Sequence, residues 1–185
     1  MEKLVFDNDS QILAKIEKVR KGFNSKKTLD IGFRKTQLNI LLTAVKKYHA
    51  KHESSKKIDL GWSEWITYYA SYTGVVQDLE YIISNFESWT KIIKVNTSMA
   101  FFPASSYLFP EPFGVSLVFS AWNSQFLTLI MPIAASISAG NVCIAKPSEL
   151  SPATALICEQ ILSELDPEIV QVVQGDYKVI HIYNH

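Results

Sequence analysis

Between Glu111 and Glu149 the chain sets two short apolar runs on either side of a long one, and this alternation admits few folds. Val115–Phe119 is β-branched and aromatic, bounded by Gly114 and a polar turn, as a buried strand would be. Phe126–Ala139 is long enough for a helix, and Ala139-Gly140-Asn141 supplies its stop. Val142–Ala145 repeats the strand pattern and closes on Lys146-Pro147. Strand, helix and strand at this spacing form a βαβ unit, whose parallel strands need helices over both faces. Ligands of such sheets bind beyond the carboxyl ends of the strands. Those ends carry Trp122-Asn123 and Lys146-Pro147-Ser148-Glu149, the polar clusters of the unit. Chemistry is expected there.

The unit extends downstream. Ser151 and Pro152 open a helix as cap and first residue, with Ala155, Ile157, Cys158, Ile161 and Leu162 on its apolar face. Asp166-Pro167 ends it, and Ile169–Val173 is a third buried strand stopped by Gly175. The order β-α-β-α-β is the first half of a doubly wound α/β nucleotide-binding sheet. Upstream, Asp9 or Ser10 is expected to cap a helix carrying Ile12, Leu13, Ile16 and Val19, ending near Gly22, with a polar loop over Phe23–Gly32. Leu38, Leu41, Leu42, Val45 and Tyr48 mark a second helix. His49–Asp59 reads as a charged break, which places His49 and His52 on the surface. Trp62 to Phe86 reads as one long amphipathic helix with Gly74 as a weak point. Met99–Pro112, with its prolines and aromatics, reads as extended chain or a hairpin. The expected divisions are a helical segment over 1–98, a partial dinucleotide-binding unit over 99–175 and a tail over 176–185.

Charge excludes some partners. Lys and Arg number 18 and Asp and Glu 18, so bulk electrostatics give no reason to expect nucleic acid. Lys26-Lys27 and Lys46-Lys47 read as solvated helix ends. Cys143 and Cys158 lie within apolar patterns, where free cysteine behaves as a small hydrophobe, and no disulfide framework is indicated. Met1–Ser10 has Glu2, Asp7 and Asp9 and no apolar core, so it is no secretory signal. Phe126–Ala139 is too short for a membrane segment. A cytoplasmic setting follows as the expectation. His181 and His185 could share a helix face, but with no third ligand beside them no metal centre is expected.

Glu111-Pro112-Phe113-Gly114, Ala121-Trp122-Asn123, Ala139-Gly140-Asn141 and Lys146-Pro147-Ser148-Glu149, in this order and spacing, resemble the aldehyde dehydrogenase superfamily. The helical region before them is similar to its class 3, fatty-aldehyde branch, and the resemblance runs from Ile16 to Gly175. It implies NAD(P)-dependent oxidation of an aldehyde, fatty or aromatic, to its acid. It also implies N-terminal helices followed by half of a Rossmann-like parallel sheet, truncated.

The resemblance gives Asn123 the role of donating its side-chain amide to the aldehyde oxygen as a thiolate attacks, an interaction worth about 3–4 kcal/mol where measured. By position alone Asn123 reads rather as a turn residue bonding its own backbone; the motif match turns the reading to the amide donor. Lys146 and Glu149 match the family's adenosine-ribose pair, with Trp122 and Ser148 in the same cofactor-binding set. The plain alternatives are a surface ion pair worth about 0–1 kcal/mol and, for Trp122, a packed core indole. The cofactor implied is NAD or NADP.

Two departures matter. Ala121 stands where the family has Pro or Thr, and Ser124-Gln125 where it has Tyr-Pro, so the turn is expected to be looser. Beyond Gly175 the family continues to a glycine-rich turn, a glutamate base in an E-L-G-G context and a cysteine nucleophile in a G-Q-x-C context; Asp176–His185 matches none of these. The expectation is a chain inactive alone, with an exposed sheet edge open to homo- or hetero-association. The alternative is a non-catalytic remnant that binds a full-length paralogue, or one without function.

Overall fold

In the computed structural model residues 3–179 are described, and His181 and His185 lie outside them. Helix α1 (Asp9–Asn24) is followed by α2 (Ile31–Lys47) and α3 (His49–Leu60). Helix α4 (Glu64–Thr67) runs through a π-helical turn, Tyr68–Tyr72, into α5 (Thr73–Trp89). Strands β1 (Ile93–Val95) and β2 (Ser106–Leu108) form an antiparallel hairpin, so the expected extended region begins ahead of Met99. Then come β3 (Val115–Phe119), α6 (Gln125–Ser138), β4 (Val142–Lys146), α7 (Pro152–Leu162) and β5 (Val170–Val172). The last three strands make a parallel sheet in the order β3-β4-β5.

This is the expected α/β arrangement, helices followed by a small parallel sheet. Register pairs Val115 with Val142 and Phe119 with Lys146, and Cys143 with Val170. Every residue of β4 is buried, which requires cover on both faces of the sheet. Helix α6 supplies one face, where Ser136 Oγ donates to Ser116 Oγ at 2.9 Å, and α7 continues it over β5. Helix α1 covers β4 and β5 through Ile12, Ile16 and Val19. Its Gly22 lies so close to the loop before β5 that a β-carbon there would stand 1.9 Å from the Glu168 carbonyl oxygen. Only glycine permits that approach.

The ends of α6 explain why its flanking residues are what they are. Gly140 has φ +88°, its N–H donates to the Ile137 carbonyl, and the Asn141 N–H reaches the Ser136 carbonyl. Together they form a Schellman termination. The Asn141 side chain then accepts from the Gly114 N–H at 2.9 Å, which ties the end of α6 to the start of β3. Arg34 donates to the Ser138 carbonyl at 2.8 Å, satisfying another terminal acceptor of α6.

Several local expectations change. The cap of α1 is Asn8, not Asp9 or Ser10: it accepts from the Gln11 N–H while its own N–H donates to the Gln11 side chain. That reciprocal pair is a capping box, which outcompetes a single hydroxyl or carboxylate. The loop expected over Phe23–Gly32 shrinks to a short 3-10 turn, Lys27–Leu29, and Asp30 caps α2. The long helix is perturbed before Gly74, at the π-helical turn. The largest correction is His49–Asp59, which is helix α3 and no break. Its inward face is polar: His52, Ser55 and Lys56 are buried at a spacing of three and four residues. His52 stacks on Phe126 with ring centroids 3.9 Å apart and its Nε2 lies 3.0 Å from Ser71 Oγ. Hydrophobic periodicity cannot see such a helix. Among the described residues, no helix is long and apolar enough to cross a membrane.

Burial, with the nearby positive charge of Lys56 and His49, pulls the His52 pKa from 6.5 down to about 3. The unfolded chain therefore takes up this proton near pH 6.5 and the folded chain only near pH 3. Stability from His52 is complete above pH 6.5 and is lost as pH falls toward 3, at about 1.4 kcal/mol per pH unit within that window. We expect His52→Leu to flatten the acid limb of a urea-unfolding series between pH 6 and 4, and an unchanged slope would show that His52 is not the group responsible.

Candidate functional site at the carboxyl edge of the parallel sheet

Because β3 and β4 are parallel, their carboxyl ends share one edge, and the Ser120 N–H donates to the Lys146 carbonyl across it at 3.2 Å. The turn Ser120–Ser124 leaves β3 for α6, and Lys146–Ser151 leaves β4 for α7. The expected site residues are therefore brought together by the topology.

Asn123 is exposed, and its Oδ1 accepts from the Ser124 N–H at 2.9 Å. That bond fixes which end of the amide is which. No protein acceptor for Nδ2 is found among the described residues, so it remains available as a donor. The self-bonded turn is thus what the structure shows. Trp122 is half exposed (50%), so its indole is not enclosed in the core.

Lys146 is buried (5% exposed) with its Nζ 2.9 Å from Glu149 Oε2 and 3.3 Å from the Pro147 carbonyl. Glu149 is more open, its side chain 25% exposed. An ammonium and a carboxylate held side by side offer a donor and an acceptor to vicinal hydroxyls. Ser148 is buried; its hydroxyl accepts from the Leu150 N–H at 3.4 Å and its carbonyl accepts from the Ser151 N–H at 3.3 Å.

Neither cysteine can take part. Cys143 and Cys158 are free thiols, and burial pushes each up to about 12. A thiol so raised is protonated at neutral pH and is not a nucleophile. Among the described residues no three His, Cys, Asp or Glu side chains gather as a metal site.

The supports of the site come from residues that pattern reading passed over. Ser151 does not cap α7 with its hydroxyl; it donates to the Trp122 carbonyl at 2.7 Å. The cap is Asp59 of α3, whose carboxylate accepts from the Ala153 N–H (3.1 Å), the Thr154 N–H (2.7 Å) and the Thr154 hydroxyl (2.7 Å). A carboxylate suits the positive end of a helix, and such a cap is worth about 1 kcal/mol. Lys56, one turn earlier on α3, donates to the Asn123 carbonyl at 3.2 Å. Burial pulls its pKa below the ordinary lysine value, against the opposing influence of Cys158 and Asp59. Gln125 is fully buried at the start of α6, and its amide, oriented to satisfy both ends, donates to the Ser148 carbonyl (3.2 Å) and accepts from the Ala155 N–H (2.9 Å). Thr128 Oγ1 accepts from the Ala121 N–H at 3.2 Å. Where a proline would have stiffened the turn, side-chain bonds from α3, α6 and α7 tie it down. The one signal available beforehand was the recurrence of His52, Ser55, Lys56 and Asp59 at helical spacing.

Comparison with known proteins places this geometry. The sequence profile of the aldehyde dehydrogenase family matches residues 5–182. A relative from Arabidopsis thaliana, aldehyde dehydrogenase family 3 member H1, is 34% identical over 161 residues, which are 86% of this chain and 33% of the relative. The dimeric NADP-preferring aldehyde dehydrogenase of Canis lupus familiaris is 32% identical over 167 residues, 90% of this chain and 37% of the relative. Among solved structures, the substrate-bound state of Staphylococcus aureus AldH superposes with a TM-score of 0.90 at 30% identity, covering 93% of this chain and 38% of that one. The chain spans about a third of the length of the curated relatives it matches.

Proposed function

Because the chain belongs to the aldehyde dehydrogenase family and resembles its class 3 members, we propose that it carries the front portion of a site for NAD(P)-dependent oxidation of a fatty or aromatic aldehyde. The observation that supports this is the convergence of the Asn123 amide and the Lys146–Glu149 pair on one edge of the sheet. Asn123 is the oxyanion donor, its Nδ2 hydrogens being of the kind that meet a carbonyl oxygen gaining charge. Lys146 and Glu149 hold the adenosine ribose, one donating to and one accepting from its hydroxyls, with Trp122 and Ser148 completing the groove. The residues present fit that half of a dinucleotide, since Glu149 is partly exposed and its Lys146 partner is held 2.9 Å away. When bound, the cofactor supplies the hydride acceptor.

Aldehyde oxidation also needs a thiolate nucleophile and a base for deacylation. Within these 185 residues the only thiols are Cys143 and Cys158, both buried and both with pKa near 12. The chain by itself is therefore an aldehyde dehydrogenase-like binding unit without turnover, in a cytoplasmic setting that keeps both thiols reduced.

A second reading, a non-catalytic unit that associates with another copy or with a full-length paralogue, draws on a different observation. Among the described residues β3 pairs only with β4, and Phe113, Val115 and Leu117 stand exposed along it. Contiguous apolar surface beside a strand edge favours association.

Three outcomes are expected. Calorimetry should give a dissociation constant for NAD or NADP of about 1 mM or weaker, with no aldehyde-dependent NADH formation from aliphatic or aromatic aldehydes. Micromolar binding abolished by Lys146→Ala, or turnover lost in Cys143→Ala or Cys158→Ala, would overturn this. Joined to the downstream two thirds of a class 3 relative, the chain should gain activity that Asn123→Ala lowers by about 100- to 1,000-fold in kcat; an unaffected kcat removes Asn123 from the reaction. Sedimentation velocity should show concentration-dependent association weakened by Phe113→Lys, whereas a monodisperse monomer with one sharp melt counts against the open edge.

A further inference from the structure

Lys56 is the fully buried cation of the site's support: its relative exposure is 0%, and its Nζ lies 4.9 Å from the centroid of the Trp62 ring. A buried charge is costly unless it is paired and hydrogen-bonded. Lys56 makes no ion pair among the described residues; Asp59, the acid on the next turn of α3, gives its carboxylate to the start of α7. The one hydrogen bond that the Lys56 ammonium makes among the described residues goes to the Asn123 carbonyl. An apolar side chain of the same length would fill the space at lower cost, so packing alone does not explain an amine here.

The bond falls at an informative place. The Asn123 carbonyl and the Ser124 N–H belong to the same peptide group, which is planar and rigid. Holding the oxygen of that plane from one side sets the direction of the N–H on the other. The Ser124 N–H is the group that clamps Asn123 Oδ1 at 2.9 Å. Ser151 holds the preceding peptide in the same manner, through the Trp122 carbonyl. We propose that Lys56 is a positioning residue for Asn123: by holding the carbonyl of the Asn123–Ser124 peptide it sets the plane whose N–H aims the Asn123 amide. The inference rests on reading Asn123 as the oxyanion donor, and it acts one bond removed from substrate.

The test is made by NMR on the isotope-labelled chain and needs no turnover. In the unsubstituted protein the Lys56 Nζ should show a scalar coupling through the hydrogen bond to the Asn123 carbonyl carbon. In Lys56→Met the Ser124 amide should exchange with solvent at least about tenfold faster, while the Val118, Ile144 and Ala155 amides stay within about twofold. Lys51→Met, on the same helix but bonded to Gln160, should leave Ser124 unchanged. Unchanged Ser124 exchange in Lys56→Met, or an equal rise across all these amides, would overturn the inference. Should Lys56→Met fail to fold, the coupling decides alone: its presence upholds the assignment and its absence refutes it. A negative result dismisses Lys56 and leaves Asn123 standing; a silent Asn123→Ala in the fused enzyme dismisses Asn123 whatever the coupling shows.

Discussion

Backbone groups that leave water must find partners, and at the carboxyl edge of this sheet those partners come from outside the sheet. Two strands end there, two helices begin, and the turns between them carry polar groups that their own elements cannot satisfy. Asp59 accepts from the first free N–H groups of α7, Lys56 donates to the Asn123 carbonyl, Ser151 to the Trp122 carbonyl and Gln125 bridges Ser148 with Ala155. These bonds hold both turns, whereas β4 and α6 are held by apolar packing. The core makes the fold compact; the polar shell around this edge gives the site its shape.

The parts of the molecule that bury oil were legible in the sequence, and the parts that bury polarity were not. Val115–Phe119, Val142–Ala145 and the helix between them follow from apolar runs and glycine stops, and each lies within a residue or two of its expected bounds. Helix α3 was misread because its inward side is His52, Ser55 and Lys56, residues that ordinarily face water. Their spacing was helical all along, but periodicity is sought in hydrophobic residues. The same physics explains why Ser151 looked like a cap: by position it is one, yet a stronger acceptor, the Asp59 carboxylate, reaches the helix end first. A rival from far along the chain is invisible to any local rule.

At the candidate site, position and resemblance nominate the residues and the structure shows their arrangement. Asn123, Lys146 and Glu149 were picked by position at strand ends and by resemblance, and they do share an edge. What could not be read was how Asn123 is oriented, because that depends on a hydrogen bond within one peptide plane. The thiols, by contrast, were legible: an apolar neighbourhood in sequence became a buried neighbourhood in space, with the raised pKa that burial imposes.

Helix α1 packs on strands that lie far from it along the sequence. Its start is latched to the far end of the fold, with the Asp7 N–H donating to the Gln174 carbonyl at 2.8 Å and the Gln174 N–H returning a bond to Asp7 Oδ2 at 2.9 Å. Lys15 adds a bond to the Val172 carbonyl, and Gly22 sits against Glu168. During synthesis, then, the apolar side of α1 emerges from the ribosome long before its cover exists. It must wait, amphipathic and unshielded, while the residues between it and β5 are made, and contacts of such long sequence separation are slow to close. The bonds that shield α1 are thus among those of longest sequence separation in the described residues.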